Sequence, residues 1–480
     1  MTAVPTPPLL VHNLLRSTAA SCPNAPAVTD RTGTWSYGQL WDASTRWAAW
    51  LQAQGCQTGD RVVFQAHSTR PTAALLYGCS LAGLTAVPVS PRAKPYQLRQ
   101  ITNDAQPTLV IARSGQLDPS AAWARAAIAS PALPAGTQRA PAFLIYTSGS
   151  TSAPKGIIAP HAAVLFAVGA IVEMLNYTSD DVVYNRIPLS FDYGLYQLLL
   201  AAYAGAAVHL DDGANDAALL AEISATRSTI VPLLPPLAGM LTALAARRPW
   251  PTRVRLFTNT GEELPAAAAA ALRSHFPQAR LQLMYGISEC KRVSILEPDG
   301  DFRRPGSVGR PLPGTRVAIT GDDGTEVQRG RIGQIVVHGP HVMAGYWRAS
   351  EADQTTFGRG VLRTGDYGWV DADGYLYFEG RRDDLFKLNG IRTSTREVEA
   401  AALDIPEVQA AVVLPPRHGR EAVLLVVASC DEAEVLRALA TRLETGKLPR
   451  TCVRLQALPL GPNGKVDRAT LAARTWNGAR

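Results

Sequence analysis

The sequence predicts an α/β protein: a large N-terminal domain of several subdomains, followed by a small α+β C-terminal domain. Three observations carry this. Strand-like apolar runs alternate with helical stretches along most of the 480 residues, as expected for helices packed on sheets. A chain this long exceeds one ordinary hydrophobic core, so two or more domains are expected. From Arg316 to Phe378 the runs become short and β-rich. Past that point the pattern restarts as a unit of about 100 residues, a usual size for a small domain.

The elements follow in order. Residues 61–66 and 109–112 read as strands, with a helix over 72–82 between them. Ser130-Pro-Ala-Leu-Pro-Ala-Gly136 is a turn-rich linker ahead of a strand at 143–146. The apolar, Ala-rich stretch 161–175 reads as a buried helix. Gly321-Asp-Asp-Gly324 and Asp371-Ala-Asp-Gly374 are hairpin turn signals. After Gly380-Arg-Arg-Asp-Asp384 a helix at 396–403, strands at 408–414 and 422–428 and a helix at 431–443 are predicted. The boundary is placed to give domains 1–381 and 382–480.

Composition narrows the function. No apolar run approaches the roughly 18–20 residues that span a bilayer, and Met1-Thr-Ala-Val-Pro-Thr-Pro-Pro is not a signal peptide. The six cysteines are scattered without a CxxC pair, which predicts reduced thiols and a cytoplasmic location. The net charge of +7 comes from dispersed arginines. There is no basic tract with interleaved aromatics, so neither nucleic acid nor membrane is an expected partner. A mild positive field suits ATP, an acidic substrate or an acidic protein, and equally a solvated surface of no specific meaning.

The segment Thr147-Ser-Gly-Ser-Thr-Ser-Ala-Pro-Lys155-Gly156 follows a strand and is read as preceding a helix. Its hydroxyls and backbone N–H groups suit phosphate oxygens, and Lys155 adds a cation. Composition alone leaves a flexible linker as the alternative. A Walker A loop is excluded by the glycine spacing.

This string resembles the signature loop of the ANL superfamily: acyl-CoA synthetases, nonribosomal-peptide adenylation domains and luciferases. Ser152 stands where the family has Gly. The resemblance extends along the chain through Tyr285-Gly-Ile-Ser-Glu289, Thr364-Gly-Asp366, Gly380-Arg381 with Asp383, and Pro462-Asn-Gly-Lys465. It implies attack of a carboxylate on the α-phosphorus of ATP, with Mg²⁺ as the cation. Thr147, Glu289 and Lys465 are the implied catalytic residues, and Glu289 is the implied Mg²⁺ ligand, a hard oxygen donor. Ser148, Gly149, Ser150, Thr151 and Lys155 are assigned to the phosphates. Gly261, Glu262, Glu263, Tyr285, Gly286, Ser288, Asp366 and Arg381 are assigned to the nucleoside. The resemblance also implies a mobile C-terminal domain that swings about Asp383. Lys387 and Gly390 then line a tunnel for a pantetheine thiol. The acceptor is expected to be a separate acyl or peptidyl carrier protein, or CoA.

The acid is less determined. Phe191-Asp192 aligns with the family's acid-pocket helix, where an Asp meets a substrate ammonium; an Asp capping that helix is the alternative. Cys290-Lys291-Arg292 resembles free-standing β-amino acid–carrier protein ligases, and a basic pair there can meet a second carboxylate. Lys291 and Arg292 pointing to solvent, or serving the nucleotide, is the other reading. Cys290 is expected to be a packing residue. Three functions stay open at this stage. They are a β-amino or small α-amino acid–carrier protein ligase in natural-product biosynthesis, an acyl- or aryl-CoA ligase, and a nucleotide-binding homologue without catalysis.

Overall fold

The computed structural model describes residues 10–111, 138–147, 155–348, 356–358, 360–381, 385–388, 391–416, 420–443, 445–461 and 466–477. Ser148, Gly149, Ser150, Thr151, Ser152, Asp383, Gly390 and Lys465 lie outside them, and Thr147 and Lys387 are placed by their backbone alone.

Two sheets dominate the described residues. In the larger, Pro26–Asp30, Ala207–Leu210, Val182–Asn185, Ile230–Leu233, Leu256–Asn259 and Arg280–Tyr285 are parallel neighbours in that order. It continues antiparallel through Ser294–Ile295, Ser307–Pro311, Leu376–Arg381, Val361–Val370, Gly333–His338 and Arg316–Thr320. The second sheet runs Leu109–Ile111, Arg61–Gln65, Thr85–Val89 and Pro141–Thr147 in parallel. Lys155–Pro160 and Gly345–Tyr346 then add antiparallel strands.

One core joins the sheets. Val28, Val183 and Val208 from one and Val62, Phe64, Phe143 and Ile157 from the other share a cluster with the helices Tyr37–Ala53, Arg70–Leu81, His161–Leu175 and Asp192–Ala204. Helices held between two sheets are buried on opposite faces, so a one-sided apolar stripe is not needed. This is why 161–175 is apolar nearly all round. The helix Tyr37–Ala53 starts where Ser36 and Gln39 exchange side-chain and backbone hydrogen bonds as a capping box.

The last part carries separate cores. Val408–Leu414, Val423–Ala428 and Thr451–Arg454 form a three-stranded sheet. One face packs Val413, Leu424 and Val426 against Val398, Val435 and Leu439. The other packs Val412, Leu414 and Leu425 against Leu471.

Two expectations need correcting. The signature loop does not lead into a helix. Thr147 and Lys155 face each other across an antiparallel ladder, and the helix begins only at His161. Among the described residues, Lys155 therefore opens a strand and not a helix. The helix expected at 431–443 is Glu432–Ala440, because the Thr441 hydroxyl donates to the Ala438 carbonyl and the chain turns into a 3-10 segment at Thr445–Lys447. No described helix is long and apolar enough to cross a membrane.

Candidate active site

Parallel strands present their carboxyl ends on one side, where α/β sheets bind ligands. A cleft of about 1120 Å³ opens there, beyond Asn185, Asn259 and Tyr285. Every expected site residue whose side chain is described lines it: Lys155, Phe191, Asp192, Gly261, Glu262, Glu263, Tyr285, Gly286, Ser288, Glu289, Lys291, Arg292, Asp366 and Arg381.

The end expected to take the acid is built from two turns. In the first, buried Asn185 donates to the Gly194 carbonyl at 3.1 Å and accepts from the Ile187 amide at 3.2 Å. A Cβ on Gly194 would lie 2.3 Å from the Ile187 oxygen, so only Gly lets this turn close. The turn delivers Asp192 to the first turn of its helix. Phe191 holds the N-cap position and the cap has no side-chain hydrogen bond, so Asp192 is not the cap.

In the second turn the chain folds back after Tyr285. A Cβ on Gly286 would lie 2.4 Å from the Lys291 carbonyl oxygen. Lys291 takes a left-handed φ of 67°, unusual for a residue with a side chain. The result is that Lys291 and Arg292 point inward and are 2% and 3% exposed. Lys291 Nζ lies 3.4 Å from Asp192 Oδ2 and 4.4 Å from the centre of the Tyr196 ring. Arg292 donates from Nη1 to Thr260 Oγ1 at 2.6 Å and sits 5.4 Å from the Tyr193 ring centre. Its buried Nε has no hydrogen-bond partner among the described residues. Burial pulls the Lys291 ammonium down to about 7, with Asp192 opposing and Arg292 reinforcing that fall. Burial also lowers Arg292. Cys290 is fully buried and its thiol is pushed up by burial, which suits packing and not nucleophilic attack.

The end expected to take the nucleoside is a stack. The Tyr285 ring lies 5.1 Å from Phe378 at an interplanar angle of 30°. Its hydroxyl donates to Asp366 Oδ2. Asp366 and Arg381 are direct cross-strand partners, with Arg381 Nε 3.4 Å from Asp366 Oδ1. The Asp366 amide donates to Thr364 Oγ1 at 3.0 Å, which holds the Thr-Gly-Asp turn.

Between these ends stand Glu289 and Lys155. Glu289 Oε1 accepts from the Tyr346 hydroxyl at 2.8 Å, and Lys155 Nζ lies 5.2 Å from the centre of the same ring. A single carboxylate is not a metal cage, and the described residues hold no cluster of three ligands. It does fit Mg²⁺, which takes one or two protein carboxylates and fills its shell with phosphate oxygens and water.

Three contributors carry no motif signal. Tyr346 closes the two-residue strand Gly345–Tyr346, too short to show a pattern in sequence. Arg396, in the C-terminal part, donates from Nε to Glu263 Oε2 at 3.0 Å and lies 4.4 Å from the Phe378 ring centre. Arg468 bonds Glu399 at 2.7 Å beside Val466, the residue after Lys465, and both Val466 and Arg468 line the cleft. All three depend on partners distant in sequence.

Residues 15–347 match the family of AMP-binding enzymes. The structure resembles VinN, solved in complex with L-aspartate, at 40% identity and a TM-score of 0.72, covering 77% of this chain and 98% of that one. An L-proline–[L-prolyl-carrier protein] ligase of Streptomyces coelicolor is 31% identical over 95% of each chain. A sulfoacetate–CoA ligase of Cupriavidus necator is 32% identical over 95% of this chain and 96% of that one. The chain belongs to the AMP-binding enzymes of the ANL superfamily and is an adenylate-forming, AMP-producing acid–thiol ligase.

Proposed function

We propose that the chain activates an amino acid bearing a second carboxylate, of the β-amino or small α-amino class. The acyl group then passes to the phosphopantetheine thiol of a separate carrier protein in natural-product biosynthesis. One observation carries the reading: at the acid end two buried cations, Lys291 and Arg292, face one buried carboxylate, Asp192. A buried charge needs a partner, and Arg292 keeps an unpartnered N–H. A substrate with one ammonium and one extra carboxylate gives each of these buried charges an opposite partner. Its ammonium replaces Lys291 at Asp192, and its extra carboxylate takes Lys291 and Arg292. The VinN complex with L-aspartate and the prolyl-carrier ligase support an amino acid and a carrier thiol.

In the chemical step the remaining carboxylate attacks the α-phosphorus of ATP and pyrophosphate leaves. Both partners are anionic, so positioning and charge dominate the barrier. Lys155, with Thr147 and residues 148–151, neutralises the phosphates. Lys465 offsets charge moving from carboxylate to phosphate. Asp366 and Arg381 hold the ribose beside Tyr285. Mg²⁺ held by Glu289 supplies charge neutralisation of the triphosphate. We assign 1–381 to the adenylating domain and 382–480 to a lid that turns about Asp383, bringing Lys387 and Gly390 to the thiol path. Reduced cysteines fit a cytoplasmic enzyme; all six are free.

The sulfoacetate–CoA ligase favours a second reading. A non-amino acid with an anionic second group would use Lys291 and Arg292, leave Asp192 as a structural partner of Lys291, and pass to CoA. Acid-dependent ATP–pyrophosphate exchange separates the two. Aspartate or a β-amino dicarboxylic acid should outpace its deaminated analogue by ~10- to 10²-fold, the scale of a lost charged contact. Equal rates would defeat the amino acid reading.

A further inference from the structure

We infer that Tyr346 is a positioning residue that keeps the cleft's metal-binding carboxylate and its phosphate-loop cation at a fixed separation. Its hydroxyl donates to Glu289 Oε1 at 2.8 Å, while Lys155 Nζ stands 5.2 Å from the centre of its ring. One side chain thus serves both groups, and its own place is fixed from several sides. Residues 343–347 form a strap. The Met343 amide donates to the Glu289 carbonyl at 2.9 Å, and the Ala344 amide to the Ile158 carbonyl at 3.0 Å. Tyr346 pairs with Ile157 as an added strand on Lys155–Pro160, and the Trp347 amide donates to the Gly156 carbonyl at 2.6 Å. The ring edge meets Phe357 at 5.0 Å.

The strap therefore grips Glu289 by backbone and side chain, and grips the strand that starts with Lys155. A phenol that occupies one carboxylate oxygen leaves the other, Oε2, for a cation and fixes the plane of the group. A cation on Glu289 and a phosphate on Lys155 must then meet at a set spacing, as a Mg²⁺-bound triphosphate requires. Ring and hydroxyl have separable tasks, since the ring face attracts the ammonium and the hydroxyl orients the carboxylate.

The inference rests on the assignment of Glu289 to the metal. The test is Mn²⁺ binding, read by electron paramagnetic resonance with a non-hydrolysable ATP analogue, alongside KM values and the melting temperature. Tyr346→Phe should weaken Mn²⁺ binding about ten- to a hundredfold, the scale for losing a hydrogen bond that orients a metal-binding carboxylate. The KM for the acid and the melting temperature should stay at wild-type values. Tyr346→Leu should in addition raise the KM for ATP. Wild-type Mn²⁺ affinity in Tyr346→Phe, with Glu289→Gln impaired, overturns the positioning role and leaves the metal assignment standing. Unchanged Mn²⁺ binding in Glu289→Gln overturns the metal assignment itself.

Discussion

Lys291 sits where an ammonium is least at home. It is buried, it borders a second cation, and the carboxylate beside it is Asp192, at 3.4 Å. Near neutrality it therefore holds its proton weakly, with a pKa lowered to about 7. A substrate carboxylate in contact with Lys291 favours its protonated form, so binding takes up a proton once the free site has lost it. The KM for the acid should be flat below about pH 7 and rise above it, by at most ~10-fold per pH unit. In Lys291→Arg that rise should vanish, because a guanidinium stays protonated. A wild-type profile flat to pH 9 would remove Lys291 from the acid site. Asp192→Ala should lose activity with amino acids by ~10²-fold or more and keep nucleotide binding, as measured by pyrophosphate exchange and by ATP titration. Lys465→Ala should slow adenylation by ~10²–10³-fold with ATP binding intact, the scale for one preorganised electrostatic group. Normal acid-dependent pyrophosphate release by that variant would remove Lys465 from the chemistry. Sequence placed Asp192, Lys291 and Arg292 near the acid separately. Their mutual pairing was not legible, because it joins a helix start to a loop far along the chain.

At the scale of elements, legibility followed the periodicity of burial. The helix His161–Leu175 and the strand Val408–Leu414 appear with the expected bounds, since both are long apolar runs with clear ends. The strand Lys155–Pro160 was missed because Lys-Gly-Ile-Ile-Ala-Pro has no strict alternation and leads straight into a helix. Its pairing with Pro141–Thr147 shows only in the tertiary structure. The loop after Tyr285 shows how one residue can fix an element. Gly286 permits the return of the chain that turns Lys291 and Arg292 inward, and any Cβ there meets backbone that cannot swing aside. Gly286→Ala should therefore lower stability by about 1–3 kcal/mol in urea unfolding, the usual overpacking range. It should also raise the KM for the acid more than that for ATP. An equal rise in both would place the strain at the nucleoside end instead.

Among the described residues, side chains of the C-terminal part reach across the cleft. Arg396 joins the C-terminal part to Glu263 and lies over Phe378, which in turn stacks on Tyr285. The Glu263 end is 56% exposed, and partly exposed ion pairs contribute only about 0–1 kcal/mol. That weakness suits a contact that would form and break if the proposed lid turned between half-reactions. If the lid turns about Asp383 between adenylation and thiol transfer, loss of the pair shifts the balance between the two arrangements by at most about fivefold. Glu263→Gln should then slow single-turnover adenylation by up to that factor. Transfer from a preformed adenylate should be unchanged or faster. Raising the salt should narrow the gap between variant and wild type, since screening removes the same attraction. Exchanging the charges, Glu263→Arg with Arg396→Glu, should restore much of the adenylation rate. Equal loss in both half-reactions, not restored by the exchange, would make the contact a fixed structural joint and leave the proposed rotation to other contacts.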